Sequence, residues 1–479
     1  MLKPYSDVVV IGGGVSGLTA AYWLQKQGVD VQVLEREKEV GGTMKTVSEN
    51  GFLVETGPNS ALETTPYFKE IVADCRLEDE FIYTNPSGNN RYILREGKLL
   101  RLPLDPGSFL TTKLFSFKAK ARLLLEPFVG RAGSEESIAQ FVERRLGREF
   151  LDYAIDPFVA GIFAGRPEAL SVRAAFPKLY ALEANYGGLI KGMIRGSRER
   201  KRREEKAKDR AESFSFKSGM QIFPSAIARR LGTRVVTEAS VLSIIPTQGS
   251  HTAADSAGAR FSVTVAQNDS VTTVLAKSVV LSVPAAAASL LMKPISPTTA
   301  DILSSIYYPP VASIFAAFRK EDVAGPADGF GFLVPSREQR KILGSLWSSS
   351  LFPLRAPEGT VAFTTFVGGG RQPDLVNMEE NALCDLALTE LKNIMQITGN
   401  SVYLRVTRWQ HAIPQYELGY LANVEALERC EQRFPGLYFC SNFKGGISVG
   451  DCVKSSRETA HRIALSLNDP NHQRNEGAL

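Results

Sequence analysis

The chain has 479 residues, with 56 Lys and Arg against 51 Asp and Glu and a formal net charge of +5. This length predicts two or three domains with a large buried core. The mild positive charge is compatible with an acidic ligand or an anionic membrane surface and does not indicate nucleic-acid binding. The five cysteines are scattered without a CxxC pair, so neither a disulfide framework nor a metal site is predicted.

The N-terminal segment predicts a nucleotide-binding βαβ unit. Its sequence, "DVVVIGGGVSGLTAAYWLQKQGVDVQVLERE", reads as a buried strand, a GxGxxG loop, a helix and a second strand. Glycines let the backbone approach a pyrophosphate, whose charge is met by the N–H groups and dipole at the helix start. Glu35 ends the second strand, where its carboxylate can bind both hydroxyls of an adenosine ribose. The glycine loop by itself does not distinguish NAD from FAD as the cofactor.

The chain after Glu35 favours FAD. "EREKEVGGTMKT" places a glycine pair after the ribose-binding acid, and "GFLVETGPNS" adds a strand and a turn that can pass near the flavin. A β-meander beginning at "RVVTEASVLSI" returns to the parallel sheet and places Val241 where a backbone could touch adenine. Near the C-terminus, "LYFCSNFKGGISVGDCVK" predicts a strand, a glycine turn and a helix. The cofactor domain is therefore predicted to be discontinuous.

Between these pieces, "NNRYILREGKLL" predicts a strand that carries two arginines. Strand alternation places Arg91, Ile93 and Arg95 on one face and Tyr92 and Leu94 on the other. The local pattern favours solvent exposure of both arginines, because Arg is usually exposed. A substrate-binding face is the alternative.

The middle of the chain predicts amphipathic helices. "RLPLDPGSFLTTKLFSFKAKARLLLEPFVG" mixes Leu and Phe with Lys and Arg, which suits either a membrane interface or a helical cap on the protein's own core. The interleaved charges of "RGSRERKRREEKAKDRAES" predict a solvated helix or loop, without an assigned function. No spanning helix and no signal or transit peptide is predicted, so a cytoplasmic location is expected.

Motifs along nearly the whole chain carry a family resemblance. They include "NNRYILR", "YAIDPFVAGIFAGRPEALS", "GFGFLVPSREQ", "LGSLWSSSLFP", "TTFVGGGR" and "LYFCSNFKGGISVGDCV". The chain resembles the oxygen-dependent protoporphyrinogen oxidases of the monoamine oxidase and carotenoid desaturase superfamily. The resemblance implies an α/β fold: a discontinuous Rossmann-like FAD-binding domain (1–90, 211–285 and 405–479), a helical membrane-associating domain (91–210) and a mixed α+β substrate domain (286–404).

The resemblance also implies site residues. The FAD contacts would be Gly12, Gly13, Gly14, Val15, Ser16, Gly17, Glu35, Arg36, Thr43, Gly57, Pro58, Asn59, Ser60, Val241, Trp409, Ile447, Ser448 and Val449. Substrate contacts would be Arg91 on a propionate, together with Gly161, Gly165, Leu333, Leu346 and Phe366 around the rings. An Arg fork suits a carboxylate because it can bind both oxygens.

The implied reaction is the removal of six electrons from a porphyrinogen in three flavin cycles, with oxygen as the electron acceptor. The resemblance also implies peripheral attachment to a membrane surface and a homodimer. No acid/base pair is predicted, because His251, His411, His461 and His472 are scattered without carboxylate partners. Protoporphyrinogen IX is the favoured substrate, with coproporphyrinogen III as an alternative. An amine oxidase with Trp409 and Tyr416 near the flavin, and a flavin-bearing membrane scaffold, are the other readings.

Overall fold

The computed structural model describes residues 2–195, 211–247 and 258–468. The charged run at 196–210 lies outside the described residues, as do His251 and His472. The strands are β1 Tyr5–Ile11, β2 Val31–Leu34, β3 Thr46–Glu49, β4 Phe52–Glu55, β5 Ala61–Leu62, β6 Phe81–Tyr83, β7 Arg91–Arg95, β8 Lys98–Arg101, β9 Ser213–Phe216, β10 Val235–Val236, β11 Ser240–Pro246, β12 Phe261–Gln267, β13 Ser270–Leu281, β14 Val311–Arg319, β15 Gly331–Leu333, β16 Gly344–Leu346, β17 Thr360–Gly368, β18 Tyr403–Trp409 and β19 Leu437–Phe439.

The α-helices are α1 Val15–Lys26, α2 Tyr67–Asp74, α3 Pro106–Thr111, α4 Phe117–Arg122, α5 Ile138–Arg145, α6 Arg148–Phe150, α7 Asp156–Phe163, α8 Val172–Ala175, α9 Pro177–Tyr186, α10 Leu189–Arg195, α11 Ile222–Leu231, α12 Ala285–Met292, α13 Pro297–Ser305, α14 Ser348–Leu351, α15 Glu380–Met395, α16 Tyr420–Arg433 and α17 Val449–Asn468. Short 3₁₀ turns connect several of them, and a π-helical turn over Leu151–Ile155 leads directly into α7.

The first sheet contains the predicted βαβ unit. Its order is β10-β2-β1-β13-β12-β11, and β19 pairs with the end of β13. The β1, β2, β10, β13 and β19 contacts are parallel, whereas β11 and β12 form the predicted antiparallel meander. The side chains of β1 and β2 are almost wholly buried, as expected for parallel strands covered on both faces.

The second sheet has the order β18-β14-β17-β16-β15-β7-β8. β7 and β8 form a hairpin whose two loop residues, Glu96 and Gly97, both have positive φ, as a tight type I′ turn requires. β7 then pairs in parallel with β15, so that Arg91 lies opposite Gly331 and Ile93 opposite Leu333. One face of the sheet packs against α15 through a cluster that includes Leu94, Phe332 and Trp347.

Three segments next to predicted domain boundaries pair or pack with a different part of the chain. Residues 91–101 were assigned to the helical domain, but β7 and β8 are edge strands of the second sheet. Residues 405–409 were assigned to the cofactor domain, but β18 pairs with β14. Residues 286–305 form α12 and α13, whose buried side chains join the core beneath the first sheet. The reason is the same in each case, because strand pairing and core contacts join segments that are distant in sequence.

The region from 106 to 195 is helical, as predicted. A buried ion-pair network holds it together: Arg145 bonds to Glu126 at 3.0 Å and to Glu183 at 2.6 Å, and the Arg145 and Glu126 side chains are fully buried. Glu126 also accepts the backbone N–H groups of Leu189 and Ile190 at the start of α10. Over the described ranges, no helix is both long and apolar enough to traverse a bilayer.

Candidate functional site

The glycine loop joins β1 to α1. A Cβ on Gly17 would overlap the carbonyl oxygen of Gly12, and a Cβ on Gly12 would stand 2.5 Å from the carbonyl oxygen of Ser282. These two glycines are therefore required by backbone packing. Gly14 differs, because its nearest neighbour to a Cβ would be Gly42 at 4.0 Å, which leaves space beside the loop.

The start of α1 has the features of an anion site. Gly14 is the N-cap, no side chain caps the helix, and the first turn has no acidic residue. The N–H groups of this turn and the helix dipole can therefore act on a ligand phosphate. The Ser282 hydroxyl beside the loop is buried and makes no hydrogen bond within the described chain.

Glu35 lies where the ribose acid is expected. Its carboxylate is buried and accepts the Gly13 N–H at 2.6 Å and the Glu37 N–H at 2.9 Å. Arg36, by contrast, is exposed and pairs with Glu37, so its side chain is directed to solvent. The predicted glycine pair packs on this loop, because the Gly41 N–H donates to the Gly13 carbonyl oxygen at 2.8 Å.

The other predicted FAD segments form a continuous chain of contacts with the glycine loop. Gly57 packs so tightly on Thr43 that a Cβ would overlap the Thr43 carbonyl oxygen, and the Trp409 indole donates to the Thr56 carbonyl oxygen at 2.6 Å. Pro58, Asn59 and Ser60, in the turn after Gly57, are half-buried. These contacts join four segments that are distant in sequence.

The C-terminal helix α17 packs beside α1, which follows the glycine loop. Ser448 caps α17, since its hydroxyl accepts the Asp451 N–H at 3.1 Å. The Ser456 hydroxyl donates to the Ser16 carbonyl oxygen at 2.9 Å, which places α17 beside α1. Ile447, Ser448 and Val449 are half-buried at the start of α17, and Val241 is half-buried at the start of β11. The uncapped helix start, the open side of Gly14 and the buried Glu35 carboxylate fit a dinucleotide such as FAD.

The second face of the second sheet carries the predicted substrate contacts. Across the sheet, one row of paired residues contains Arg91 of β7, Gly331 of β15 and Leu346 of β16. The neighbouring row contains Leu333 of β15, Gly344 of β16 and Phe366 of β17. Paired residues project to the same side of a sheet. Leu333, Leu346 and Phe366 are half-buried, whereas the alternate residues along these strands are buried in the α15 core. The three apolar side chains therefore share a partly open face with Arg91.

Helix α7 forms a second wall against this face. Gly161 is exposed, and a Cβ there would stand 2.7 Å from Leu333 Cδ2, so the helix lies close to β15. Gly165 is placed differently, because it is buried against Leu170 and the side-chain amide of Gln415.

Arg91 is exposed, as the local pattern favoured, but protein atoms surround part of its guanidinium. Nearby protein atoms desolvate its guanidinium and lower its pKa, although solvent reaches it. No carboxylate pairs with it in the described part of the chain, and it stands over the Phe330 ring, 5.0 Å from the centroid. Arg95 differs, since it pairs with Glu149 at 2.8 Å and stacks on Tyr153.

Sequence reasoning missed a buried pair beside this face, Asp156 with Arg371. Both residues occur in quoted motifs, "AIDPFVAGIFAG" and "TTFVGGGR", but nothing in either motif indicates its partner. The sequence also left Tyr416 as a candidate aromatic residue near the flavin of an amine oxidase. Tyr416 is buried, stacks on Tyr420, and donates its hydroxyl to the Asn442 carbonyl oxygen at 2.5 Å, so it has a structural partner.

Comparison with known proteins identifies the family. A model described as flavin containing amine oxidoreductase matches residues 15–464. The chain belongs to this family. It is an FAD-dependent oxidoreductase, and the resemblance to protoporphyrinogen oxidases is confirmed.

Two relatives illustrate the similarity. Protoporphyrinogen oxidase 2 of Arabidopsis thaliana is 34% identical, over 96% of this chain and 94% of its own length. Coproporphyrinogen III oxidase of Bacillus subtilis is 26% identical, over 94% of this chain and 96% of its own length.

Solved structures confirm the predicted fold class. A crystal structure from Exiguobacterium sp. 255-15, which carries a provisional protoporphyrinogen oxidase name, covers 97% of this chain with a TM-score of 0.78 at 22% identity. UDP-galactopyranose mutase covers 98% with a TM-score of 0.71 at 15% identity. At such identities the likeness concerns the fold alone, because one fold supports different reactions.

Proposed function

We propose that this enzyme oxidises protoporphyrinogen IX to protoporphyrin IX, with molecular oxygen as the electron acceptor. The observation that carries the proposal is the face that Leu333, Leu346 and Phe366, all half-buried, share with Arg91, which pairs with no carboxylate within the described residues. A hydrophobic macrocycle with ionised propionates requires an apolar surface with a cation beside it. The full-length similarity to plant protoporphyrinogen oxidases supports the same substrate class.

The residues of the chain bind and orient the two reactants. Arg91 holds a propionate, and the apolar side chains exclude water from the macrocycle carbons that react. When bound, FAD would supply the redox chemistry, which amounts to two electrons in each of three cycles, with oxygen as the final acceptor and hydrogen peroxide as the second product. The sequence predicts no acid/base pair, because its four histidines are scattered, and we propose that protons leave through substrate tautomers and solvent.

Coproporphyrinogen III is the second candidate substrate, because the Bacillus subtilis and Staphylococcus aureus coproporphyrinogen III oxidases match over 94% and 96% of this chain. The two substrates share the ring and differ in the number of carboxylates.

The test mixes FAD-loaded protein with each porphyrinogen in air and follows porphyrin fluorescence together with peroxide. We expect faster product formation from protoporphyrinogen IX, with three peroxide molecules for each porphyrin. Faster oxidation of coproporphyrinogen III would assign the second substrate. Peroxide formed only with amines would refute both.

We also propose that the helical region docks on an anionic membrane surface. Phe117 and Phe128 are 86% and 85% exposed, and Leu124 is 76% exposed, which is unusual for large apolar side chains. They lie on contacting segments, with the exposed Lys113, Lys118, Arg131, Lys191 and Arg195 on the same region of the chain. An apolar surface flanked by cations is typical of proteins that lie on lipid headgroups.

The buried Glu126 fixes the segment Leu123–Phe128, to which it belongs, because its carboxylate pairs with the buried Arg145 and accepts a backbone N–H at the start of α10. Vesicle co-sedimentation tests the proposal. A Phe117→Ser, Phe128→Ser double variant is expected to bind vesicles with anionic headgroups at least tenfold more weakly, since burying each Phe contributes about 1.5–3 kcal/mol. Leu290→Ser is the control, because Leu290 is 74% exposed on α12, outside the helical region. Equal binding by all three proteins would contradict membrane docking.

A further inference from the structure

One buried ion pair joins three segments of the proposed substrate cleft. Asp156 is the first residue of α7, and Arg371 follows the turn after β17. The Arg371 Nη2 atom lies 2.8 Å from Asp156 Oδ2, and the two side chains are only 11% and 8% exposed. Burial of this kind is costly for charged groups unless they are paired and hydrogen-bonded.

The pair also binds the segment that follows β15. Arg371 Nη1 donates to the Val334 carbonyl oxygen at 2.7 Å, and Nη2 donates to the Asp156 carbonyl oxygen at 2.9 Å. The Ser336 N–H donates to Asp156 Oδ2 at 2.7 Å. A planar guanidinium can serve these separate acceptors at once, which a lysine ammonium on a flexible stem cannot do as rigidly.

Each segment held by the pair carries a residue of the proposed cleft. Gly161 lies on α7, Leu333 immediately precedes Val334, and Phe366 lies near the end of β17. The 2.7 Å separation between a Cβ on Gly161 and Leu333 Cδ2 shows that α7 lies close to β15, so that a side chain at position 161 would have to displace Leu333. A small shift of α7 would therefore change the cleft directly.

We propose that the Arg371–Asp156 pair is a positioning device that holds α7 against β15 and thereby sets the width of the cleft for a tetrapyrrole macrocycle. This inference rests on the proposed function. Neither residue is a predicted substrate contact, and the pair acts through Gly161 and Leu333. Loss of the pair is expected to weaken substrate binding more than the chemical step.

The helical region offers a matched control for a purely structural ion pair. Arg145 is fully buried and bonds to Glu126 and Glu183, much as Arg371 bonds to Asp156. Within the described chain, the hydrogen-bonding partners of Arg145 are Glu126, Glu183, Gly130 and Gly187, and none of them is a predicted substrate contact. Arg145→Lys therefore tests the cost of weakening a buried pair without changing the cleft.

The experiment compares FAD-loaded wild type, Arg371→Lys and Arg145→Lys. It measures Tm, FAD content from absorbance, and KM and kcat for protoporphyrinogen IX from porphyrin fluorescence in detergent. Both variants are expected to have a lower Tm and to retain FAD. Arg371→Lys should raise KM about tenfold and change kcat less than about threefold, because misplacement affects binding geometry. Arg145→Lys should leave KM within about twofold.

A double-mutant cycle with Leu333→Ala tests the route of the effect. If the pair acts through the contact between α7 and Leu333, Arg371→Lys should raise KM much less in the Leu333→Ala background than in wild type. If Arg371→Lys does not fold, Asp156→Asn takes its place. Its amide oxygen can still accept the Ser336 N–H, while the charge on Arg371 loses its partner.

An unchanged KM in Arg371→Lys, an equal rise in Arg145→Lys, or fully additive effects with Leu333→Ala would overturn the inference. Wild-type protein that oxidises neither porphyrinogen would refute the proposed function, and the assigned role of the pair with it. Wild-type turnover with an unaffected Arg371→Lys would refute the positioning role alone.

Discussion

Replacement of Arg91 by Ala is the most direct test of the substrate face. The guanidinium has no carboxylate partner in the described structure, so its removal leaves no buried charge unpaired. A hydrogen bond to a charged group contributes about 1.5–3 kcal/mol, which corresponds to about 10- to 150-fold in affinity. Because Arg91 is solvent-accessible, the lower part of this range is expected, and KM should rise about tenfold.

The assay follows porphyrin fluorescence at varied protoporphyrinogen IX, and again with its dimethyl ester, which lacks the ionised propionates. Arg91→Ala should raise KM for the acid and leave KM for the ester nearly unchanged. Arg101→Ala is the control, because Arg101 is exposed on β8 opposite Tyr92 and projects to the other face of the sheet. FAD content should match wild type in both variants. An equal KM for the acid in Arg91→Ala and wild type would refute carboxylate anchoring.

Three further predictions concern other parts of the chain. Glu35→Gln replaces a carboxylate oxygen that accepts a backbone N–H, and should weaken FAD binding by at least tenfold, measured as flavin fluorescence released on dilution; unchanged retention would contradict the ribose role. Gly161→Ala should not lower Tm, since Ala favours a helix over Gly by about 1 kcal/mol. The added methyl must displace the Leu333 side chain, so KM should change. An unaltered KM would place this contact outside the cleft. Burial raises the pKa of the Cys75 thiol to about 11, so iodoacetamide should alkylate it slowly at pH 8 and faster as pH rises toward that value; the rate of free cysteine at pH 8 would contradict this.

Short-range patterns predicted much of the cofactor site. The glycine loop, α1 and Glu35 lie within one contiguous segment, and their conformations follow from local requirements for close backbone approach and a buried parallel strand. The local pattern alone predicts an ordinary turn at the glycine pair 41–42. Its contact with Gly13 depends on the path of the intervening chain.

The substrate side shows the limit of such patterns. Alternation in the segment 91–95 is a property of any strand, so the placement of Arg91, Ile93 and Arg95 on one face follows from the local pattern alone. The sequence by itself also determined the family, through motifs spread along the chain. The local pattern does not show that Leu333, Leu346 and Phe366 lie on the same face, because strand pairing is set by hydrogen bonding and burial between distant segments. The same reason explains why the pairing of Asp156 with Arg371, 215 residues apart, became visible only in the folded chain.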